Sequence, residues 1–304
     1  MSSVQRFFAV LTIATLCACM TFTCFAQQSN RLILINYQVD EQQHDYVARW
    51  QGKTLSVAAG QPKRVVIATL DWPPYIGSQQ CQGGWLLHYM SAVLIEAGYN
   101  PEFRFLPWAR AVRMVELGHA DILAPEYEIE ASAPSDVVIG DTRLQHLAMS
   151  VPFSHTPLHY FSAAKSQIKK SPTPDELPNY SVGVVRGYQN APDVDKVLDS
   201  GKVVVQQAID DAQNLDLLVN NRVNLIIGDP FVINTVAKRK GISTNLYSQL
   251  EPSIIEQQLY FALSKARPQW QTLQSDINTA IATLNNAQVD KQITAKIKQL
   301  CHQD

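Results

Sequence analysis

The chain has 304 residues, of which 46% are hydrophobic and 17% are charged, and its formal net charge is −2 at pH 7. This length and composition are typical of a globular protein with one large domain or two domains of ordinary size. Because no basic run or basic face stands out, the sequence lacks the charge pattern of a nucleic-acid-binding protein, and we expect no nucleic acid among its partners.

The first 26 residues have the pattern of an export signal. Arg6 precedes an apolar run over residues 7–16, and small residues follow, which is the order found in secretory signal peptides. Cleavage is expected after Ala26, which predicts a signal peptide at 1–26 and a periplasmic product. The segment Leu16-Cys17-Ala18-Cys19 also resembles a lipobox, so a lipid-anchored start at Cys19 is the alternative. The apolar run is short for a membrane span.

The predicted export signal places the protein in an oxidising compartment, where a disulfide can form. Three of the five cysteines lie in the predicted signal, which leaves Cys81 and Cys301. Two thiols in an exported protein more often form a disulfide than a catalytic pair. We therefore predict a bridge between them, with two unpaired cysteines as the alternative.

Residues 27–63 form an N-terminal extension to which the sequence assigns no role. Residues 32–35 are typical of a strand, and residues 38–45 are polar. The segment is expected to add an edge strand or to stay partly disordered.

The next stretch carries the first functional signal. Residues 65–69 are predicted to form a short buried strand, which the pair Pro73-Pro74 ends because prolines fix φ and remove backbone donors. The loop places Trp72 and Tyr75 at the carboxyl end of that strand, where α/β sheets tend to bind their ligands.

From residue 65 onward, predicted strands and helices alternate, which is typical of an α/β protein with largely parallel strands. The predicted strands are 65–69, 103–106, 122–123, 159–163, 182–185, 203–205, 223–227 and 259–263. The predicted helices are 85–97, 109–117, 194–198, 208–220, 230–239, 268–284 and 289–300. These elements form two similar blocks, and a ligand cleft is expected between them.

Several short motifs occur in a fixed order. They are Asp71-Trp72-Pro73-Pro74-Tyr75, Pro107-Trp108-Ala109-Arg110-Ala111, residues 118–121, Arg143 with Ser150 and Pro152-Phe153, residues 182–188, and Gly228-Asp229-Pro230. With this ordered set, over roughly residues 64–300, the chain resembles the bacterial extracellular solute-binding proteins of family 3, which are periplasmic type II binding proteins for amino-acid-like ligands. The Pro-Trp-x-Arg-Ala motif resembles one subgroup whose ligands are poorly defined.

The resemblance implies a fold and a division of the chain. It implies an α/β protein with two lobes, each a mixed sheet flanked by helices, joined by a hinge that the chain crosses twice. Lobe 1 would comprise residues 64–156 plus 252–304, and lobe 2 would comprise residues 157–251.

The resemblance also implies a carboxylate clamp. Arg143 stands seven residues before Ser150, as does the family's arginine that holds the ligand carboxylate. The planar guanidinium suits this role because it makes two parallel hydrogen bonds to a carboxylate. Gly140 stands where the family usually has threonine, and the segment from residue 121 to residue 143 is longer than usual. Whether Glu126 and Tyr127 enter the cleft therefore stays open.

The second block supplies the other implied contacts. Asp229 matches the family's acid that pairs with the ligand's ammonium group, although it could instead cap the following helix. Gly187 and Tyr188 match the start of a helix whose amides face the ligand carboxylate.

The first block supplies aromatic residues. Trp72 matches the family's aromatic residue that lies against the ligand, and Arg110 would be either a second cation for the ligand or part of a structural ion pair. The full predicted ligand-binding set is Trp72, Tyr75, Trp108, Arg110, Glu126, Arg143, Gly187, Tyr188 and Asp229.

The sequence thus predicts a monomeric exported protein that captures a small amino-acid-like or carboxylate ligand by hinge closure, for uptake through a membrane permease of the ABC type. A periplasmic sensor that docks to a membrane receptor is the alternative, and a dehydratase-like enzyme on the same fold is a further one. The sequence lacks common hydrolase and nucleotide-binding motifs, and its histidines lack metal-ligand spacing. We therefore expect no catalytic residue, cofactor or metal.

Overall fold

The computed structural model describes residues 31–301. The predicted signal peptide, its cleavage site at Ala26 and the lipobox cysteine Cys19 lie outside this range. Within it, no helix combines the length and the apolar character that crossing a membrane requires.

Strands and helices alternate along most of the chain. The strands are β1 (Leu32–Val39), β2 (Gln42–Gln51), β3 (Thr54–Val57), β4 (Lys63–Thr69), β5 (Tyr99–Phe105), β6 (Ile122–Glu126), β7 (Leu147–Met149), β8 (Ser154–Ala163), β9 (Ser181–Val185), β10 (Val204–Ala208), β11 (Leu225–Gly228), β12 (Tyr247–Gln249) and β13 (Ile255–Ser264). The helices are α1 (Trp85–Glu96), α2 (Trp108–Glu116), α3 (Arg143–His146), α4 (Pro192–Leu198), α5 (Asp211–Val219), α6 (Pro230–Lys240), α7 (Trp270–Asn286) and α8 (Val289–Cys301).

The strands form two lobes. In lobe 1 the order is β1-β2-β3-β5-β4-β6-β13, with β7 also paired to β13, and β4 runs parallel to both β5 and β6. In lobe 2 the order is β8-β11-β9-β10, with β12 also on β8. Both sheets contain parallel and antiparallel pairs, and helices flank them. The predicted fold class, a two-lobed α/β protein with mixed sheets, is confirmed.

The two crossings between the lobes are the long strands β8 and β13. The first halves of the two strands pair antiparallel with each other, from Ser154 opposite Leu259 to Leu158 opposite Ile255. The second half of β8 then pairs with β11 in the lobe 2 sheet, whereas the second half of β13 pairs with β6 in the lobe 1 sheet. The hinge is therefore a two-stranded ribbon, and a bend in this ribbon changes the distance between the lobes.

The described part of the N-terminal extension forms regular secondary structure. Strands β1, β2 and β3 form an antiparallel meander, and β3 pairs with β5 so that Leu55 lies opposite Phe103. Alternate residues of β1 are buried, as expected for a strand with one face on a core. The meander widens the lobe 1 sheet on the side away from the hinge.

A disulfide between Cys81 and Cys301 ties the end of α8 to the turn before α1, as predicted. Helix α1 is buried almost all round, because it packs against β5 on one side and against α7 and α8 on the other. A helix that is apolar on every face requires such an enclosed position.

Candidate functional site

The loop after β4 is held in a fixed shape. The backbone N–H of Trp72 donates to the carbonyl of Ile76 at 2.8 Å, and the carbonyl of Tyr75 accepts from the N–H of Leu86 at 3.0 Å. Gly84 permits this close approach, since its φ is +86° and an added Cβ would lie 2.3 Å from the Tyr75 carbonyl oxygen. The loop thereby fixes the rings of Trp72 and Tyr75, whose centroids are 4.6 Å apart.

Asp229 connects the two lobes. As the N-cap of α6, its Oδ1 accepts from the backbone N–H groups of Phe231 and Val232, at 2.7 and 3.1 Å. Its Oδ2 accepts from the hydroxyl of Tyr75 in lobe 1 at 2.8 Å. The helix-cap alternative is therefore observed, and the same carboxylate has a second oxygen at the junction of the lobes, while its pairing with a ligand ammonium group stays a prediction. Burial raises the pKa of Asp229 above its ordinary value.

Arg143 also spans the cleft, but its guanidinium already has partners. Nη2 donates to Asp136 Oδ2 at 2.9 Å, and Nη1 donates to the backbone carbonyl of Gly187 in lobe 2 at 3.1 Å. Glu116 lies 3.8 Å from Nε. The side chain of Arg143 is only 4% exposed. A ligand carboxylate at this position would compete with Asp136, so the carboxylate clamp stays a prediction.

Gly187 and Tyr188 lie at the cleft, but the expected helix does not start there. The N–H of Tyr188 donates to the carbonyl of Val185 at 3.1 Å, which closes a turn, and α4 begins at Pro192. Proline favours the first helical position, and the N–H of Asn190 donates to Asp195 inside the helix. The amides of Gly187 and Tyr188 are therefore not those of a helix N-terminus, contrary to the sequence-based expectation.

The start of α2 packs against this turn. A Cβ at Gly187, whose φ is +90°, would lie 3.3 Å from both Trp108 and Ala109, and the rings of Trp108 and Tyr188 meet edge to face at 6.1 Å. Trp108 is 4% exposed. Arg110, in the first turn of α2, is exposed. It does not line the aromatic cavity to which Trp108 and Tyr188 contribute.

A small aromatic cavity lies where the lobes meet. Its lining residues are Leu70, Trp72, Trp108, Pro125, Glu126, Tyr127, Tyr188, Gln189 and Leu259. Its volume is about 20 Å³, which is room for a single water-sized group. Arg143 does not line this cavity but a neighbouring groove of about 1000 Å³. The structure thus divides the predicted set: Trp72, Trp108, Glu126 and Tyr188 share the cavity, while Arg143 and Gly187 border the groove.

Glu126 enters the cleft, a point that the sequence left open. It ends β6, is 1% exposed, and its Oε2 lacks a hydrogen-bond partner among the described residues. Burial raises the pKa of this carboxyl to about 8, an effect that the nearby Arg143 partly offsets. Burial therefore favours the protonated form of this carboxyl.

Sequence reasoning missed two polar residues of the cleft, Thr156 and Asp211, whereas it left the entry of Tyr127 open, and Tyr127 lines the cavity. The hydroxyl of Tyr127 lies 3.1 Å from Thr156 Oγ1, and the hydroxyl of Tyr188 donates to Asp211 Oδ2 at 3.0 Å. Burial raises the pKa of Asp211 to about 7. The sequence Asp210-Asp211 could have indicated this contact. One acid suffices to cap a helix, and Asp210 caps α5. The carboxylate of Asp211 is therefore available to accept from Tyr188.

The cleft is thus rich in buried carboxyl groups. Glu126, Asp211 and Asp229 are at most 4% exposed, and each has a raised pKa because burial penalises the charged form. No group of three possible metal ligands occurs between residues 31 and 301. The arrangement is suited to binding positively charged or hydrogen-bond-donating groups.

The sequence matches no protein-family model and no curated protein. Solved structures do match. A histidine kinase sensor domain with similarity to periplasmic binding proteins has a TM-score of 0.62 and 17% identity, over 77% of this chain and 96% of that one. An ancestral arginine-binding protein bound to arginine has a TM-score of 0.61 and 16% identity, over 78% and 98%. An arginine transport system periplasmic binding protein from Legionella pneumophila has a TM-score of 0.60 and 15% identity, over 77% and 99%.

The chain has the periplasmic binding protein fold. At this level of identity the likeness concerns the fold, and the subgroup that the Pro-Trp-x-Arg-Ala motif resembles stays a prediction. The alignments span nearly all of each neighbouring chain but only 77 to 78% of this one. The unmatched part of this chain is longer than strands β1–β3 together.

Proposed function

We propose that this chain is an exported binding protein that captures a small amino-bearing ligand, such as an amino acid, between its two lobes. The observation that carries the proposal is the contact between Tyr75 and Asp229, in which a buried hydroxyl of lobe 1 meets a buried carboxylate of lobe 2. An ammonium group on a ligand can take the place of the hydroxyl and form a stronger, charge-assisted hydrogen bond.

The hinge supports closure around such a ligand. Only the ribbon of β8 and β13 carries the chain between the lobes within residues 31–301, and hinge motion about a few connecting residues is a common way for two lobes to enclose a ligand. A ligand that touches both lobes favours the closed form, because it makes fewer contacts when they are apart. Binding rather than catalysis is also the role that the names of the fold neighbours support.

The test is a thermal-shift screen of amino acids, small amines and small carboxylates on the wild-type protein and on Asp229→Asn. Asparagine caps helices as well as aspartate does, so the variant is expected to fold while losing the charge that holds an ammonium group. A ligand that binds the folded state raises the melting temperature. We expect at least one amino-bearing compound to do so in the wild type and much less in the variant. Equal shifts in both proteins would contradict the assignment of Asp229, and neutral sugars as the sole stabilisers would contradict the ligand class.

Uptake is the proposed purpose, with the periplasm as the compartment and a membrane permease as the partner. The likeness to a histidine kinase sensor domain gives the alternative, a periplasmic sensor that docks to a signalling receptor. The neighbouring genes distinguish the two: a permease with an ATPase supports uptake, whereas a receptor kinase or a cyclase supports sensing.

A further inference from the structure

Within the described range, Glu126 is one of several buried polar groups of the cleft with an unpaired atom, as are Trp108 at Nε1 and Arg143 at Nε. Glu126 is 1% exposed, it lines the aromatic cavity, and its Oε2 has no hydrogen-bond partner among residues 31–301. Native proteins pair the great majority of their buried polar atoms, and an exception calls for an explanation. An unpaired carboxyl oxygen on the wall of a cavity is explained if the cavity receives a hydrogen-bond donor.

Aromatic rings surround the same cavity. Trp72 and Tyr127 meet edge to face with centroids 6.0 Å apart and an interplanar angle of 81°, and Trp108 and Tyr188 do the same at 6.1 Å and 84°. Within each perpendicular pair, the edge of one ring faces the other ring. Four rings with different orientations thus line one small space. Ring faces carry partial negative charge and attract cations.

The protein itself supplies no cation to this space. No lysine or arginine is among the lining residues. The nearby Arg143 is committed to Asp136 and to the carbonyl of Gly187. The carboxyl of Glu126 therefore has no lysine or arginine partner within the cavity lining.

We propose that the aromatic cavity is a cation site, which receives the protonated amino group of an organic amine and pairs one of its N–H groups with Glu126 Oε2. This rests on the proposed function, because the ligand would occupy the same cleft, and it narrows the ligand to compounds with a cationic nitrogen beyond the amino group assigned to Asp229. The cavity volume of about 20 Å³ suits a small ammonium head rather than a bulky group.

The ionisation of Glu126 is consistent with this site. Burial raises its pKa to about 8, Arg143 lowers it, and the acids Asp136 and Glu116 raise it. A bound ammonium group would favour the charged carboxylate. Burial thus favours the neutral carboxyl, and a cation beside it would favour the ionised form, which gives an ion pair next to aromatic rings.

The experiment compares 1,4-diaminobutane with 1,4-butanediol, which has the same carbon chain but no charge, by calorimetric titration of the wild type, Glu126→Gln and Glu102→Gln. Glutamine keeps the size of the side chain and removes its charge. Glu102 pairs with Arg64 and Arg104 outside the cavity, so Glu102→Gln is the matched control.

We expect the diamine to bind the wild type and the control alike, and the diol to bind neither. Glu126→Gln should bind the diamine roughly 10- to 100-fold more weakly, the usual range for the loss of a buried hydrogen bond to a charged group. Trp108→Leu should weaken binding by about 5- to 30-fold, while Trp108→Phe, which keeps a ring, should weaken it less.

The cation site is overturned if the wild type binds the diamine no better than the diol, which includes the case in which it binds neither. It is also overturned if Glu126→Gln binds the diamine as tightly as the wild type does. Neither result affects the proposed function, which fails on its own terms if no amino-bearing compound depends on Asp229. Near-ultraviolet circular dichroism of each variant confirms that a loss of binding is not a loss of fold.

Discussion

Replacing Glu126 by glutamine should change how the stability of the ligand-free protein depends on pH. Burial raises the pKa of this carboxyl from 4.5 to about 8 in the folded state, and unfolding exposes it to water, where the ordinary value returns. Between these two pKa values, the folded protein holds a proton that the unfolded chain has lost. Stability must then fall as pH rises through this window, because the unfolded state binds fewer protons.

The size of the effect follows from the shift. One pH unit is equivalent to about 1.4 kcal/mol for a proton that only the folded state retains. Raising the pH from about 5.5 to about 7.5 should therefore cost the wild type about 2 to 3 kcal/mol through Glu126. Glu126→Gln has no such proton to lose and should be spared this cost. Asp211, whose pKa burial raises to about 7, contributes equally to both proteins and cancels in the comparison.

The assay is urea unfolding of the wild type and of Glu126→Gln at several pH values within that window, with Glu102→Gln as the control. The stability advantage of Glu126→Gln over the wild type should grow by about 2 to 3 kcal/mol between the lowest and the highest pH. The control should follow the wild type. Parallel pH profiles for the wild type and Glu126→Gln would refute the reasoning, since Glu126 would then titrate normally in the folded state.

Three further measurements test other contacts. At neutral pH, an amine that pairs with Glu126 should displace its proton, so binding heats should differ between two buffers of different ionisation enthalpy; equal heats would exclude this displacement. Tyr75→Phe removes the hydroxyl that donates a hydrogen bond to Asp229. Because this contact joins the lobes, X-ray scattering of the ligand-free variant should show a larger radius of gyration than the wild type. An unchanged radius would show that the contact does not hold the lobes together. Replacing Cys81 and Cys301 by serine frees two residues 220 positions apart, for which chain entropy gives about 5 kcal/mol of lost stability; a melting temperature that does not fall would contradict this account.

The fold could be predicted because its signals are local and ordered. A β-branched run that ends at Pro73-Pro74 marks β4, and the alternation of strands and helices indicates two α/β blocks. The bridge between Cys81 and Cys301 followed from the predicted export and from the two cysteines that remain beyond the predicted signal. Strands β2 and β3 were missed because the first half of β2 is polar and most of the strand is exposed, although Tyr46, Ala48 and Trp50 alternate with more exposed residues in its second half.

The site could be predicted only in part, for a physical reason. A motif identifies the residues that point toward the cleft, but the partners of those residues come from distant parts of the chain. The structure places Arg143 at the junction of the lobes, but its contacts with Asp136 and Gly187 depend on a loop conformation and on lobe closure, and its contact with a ligand stays a prediction. Glu126 had no signal of its own beyond its position after a strand, and only its burial marks it as unusual.

The disulfide has a consequence for when the protein becomes competent. Cys81 lies in the turn whose Gly83 carbonyl accepts from the N–H of Gly77 at 3.0 Å, and Gly77 closes the loop that presents Tyr75. Before the two thiols are joined, this loop lacks its covalent anchor to α8. Under the proposed export, we expect chains that have not yet formed the bridge to hold this turn, and with it the Tyr75 loop, less firmly than oxidised chains.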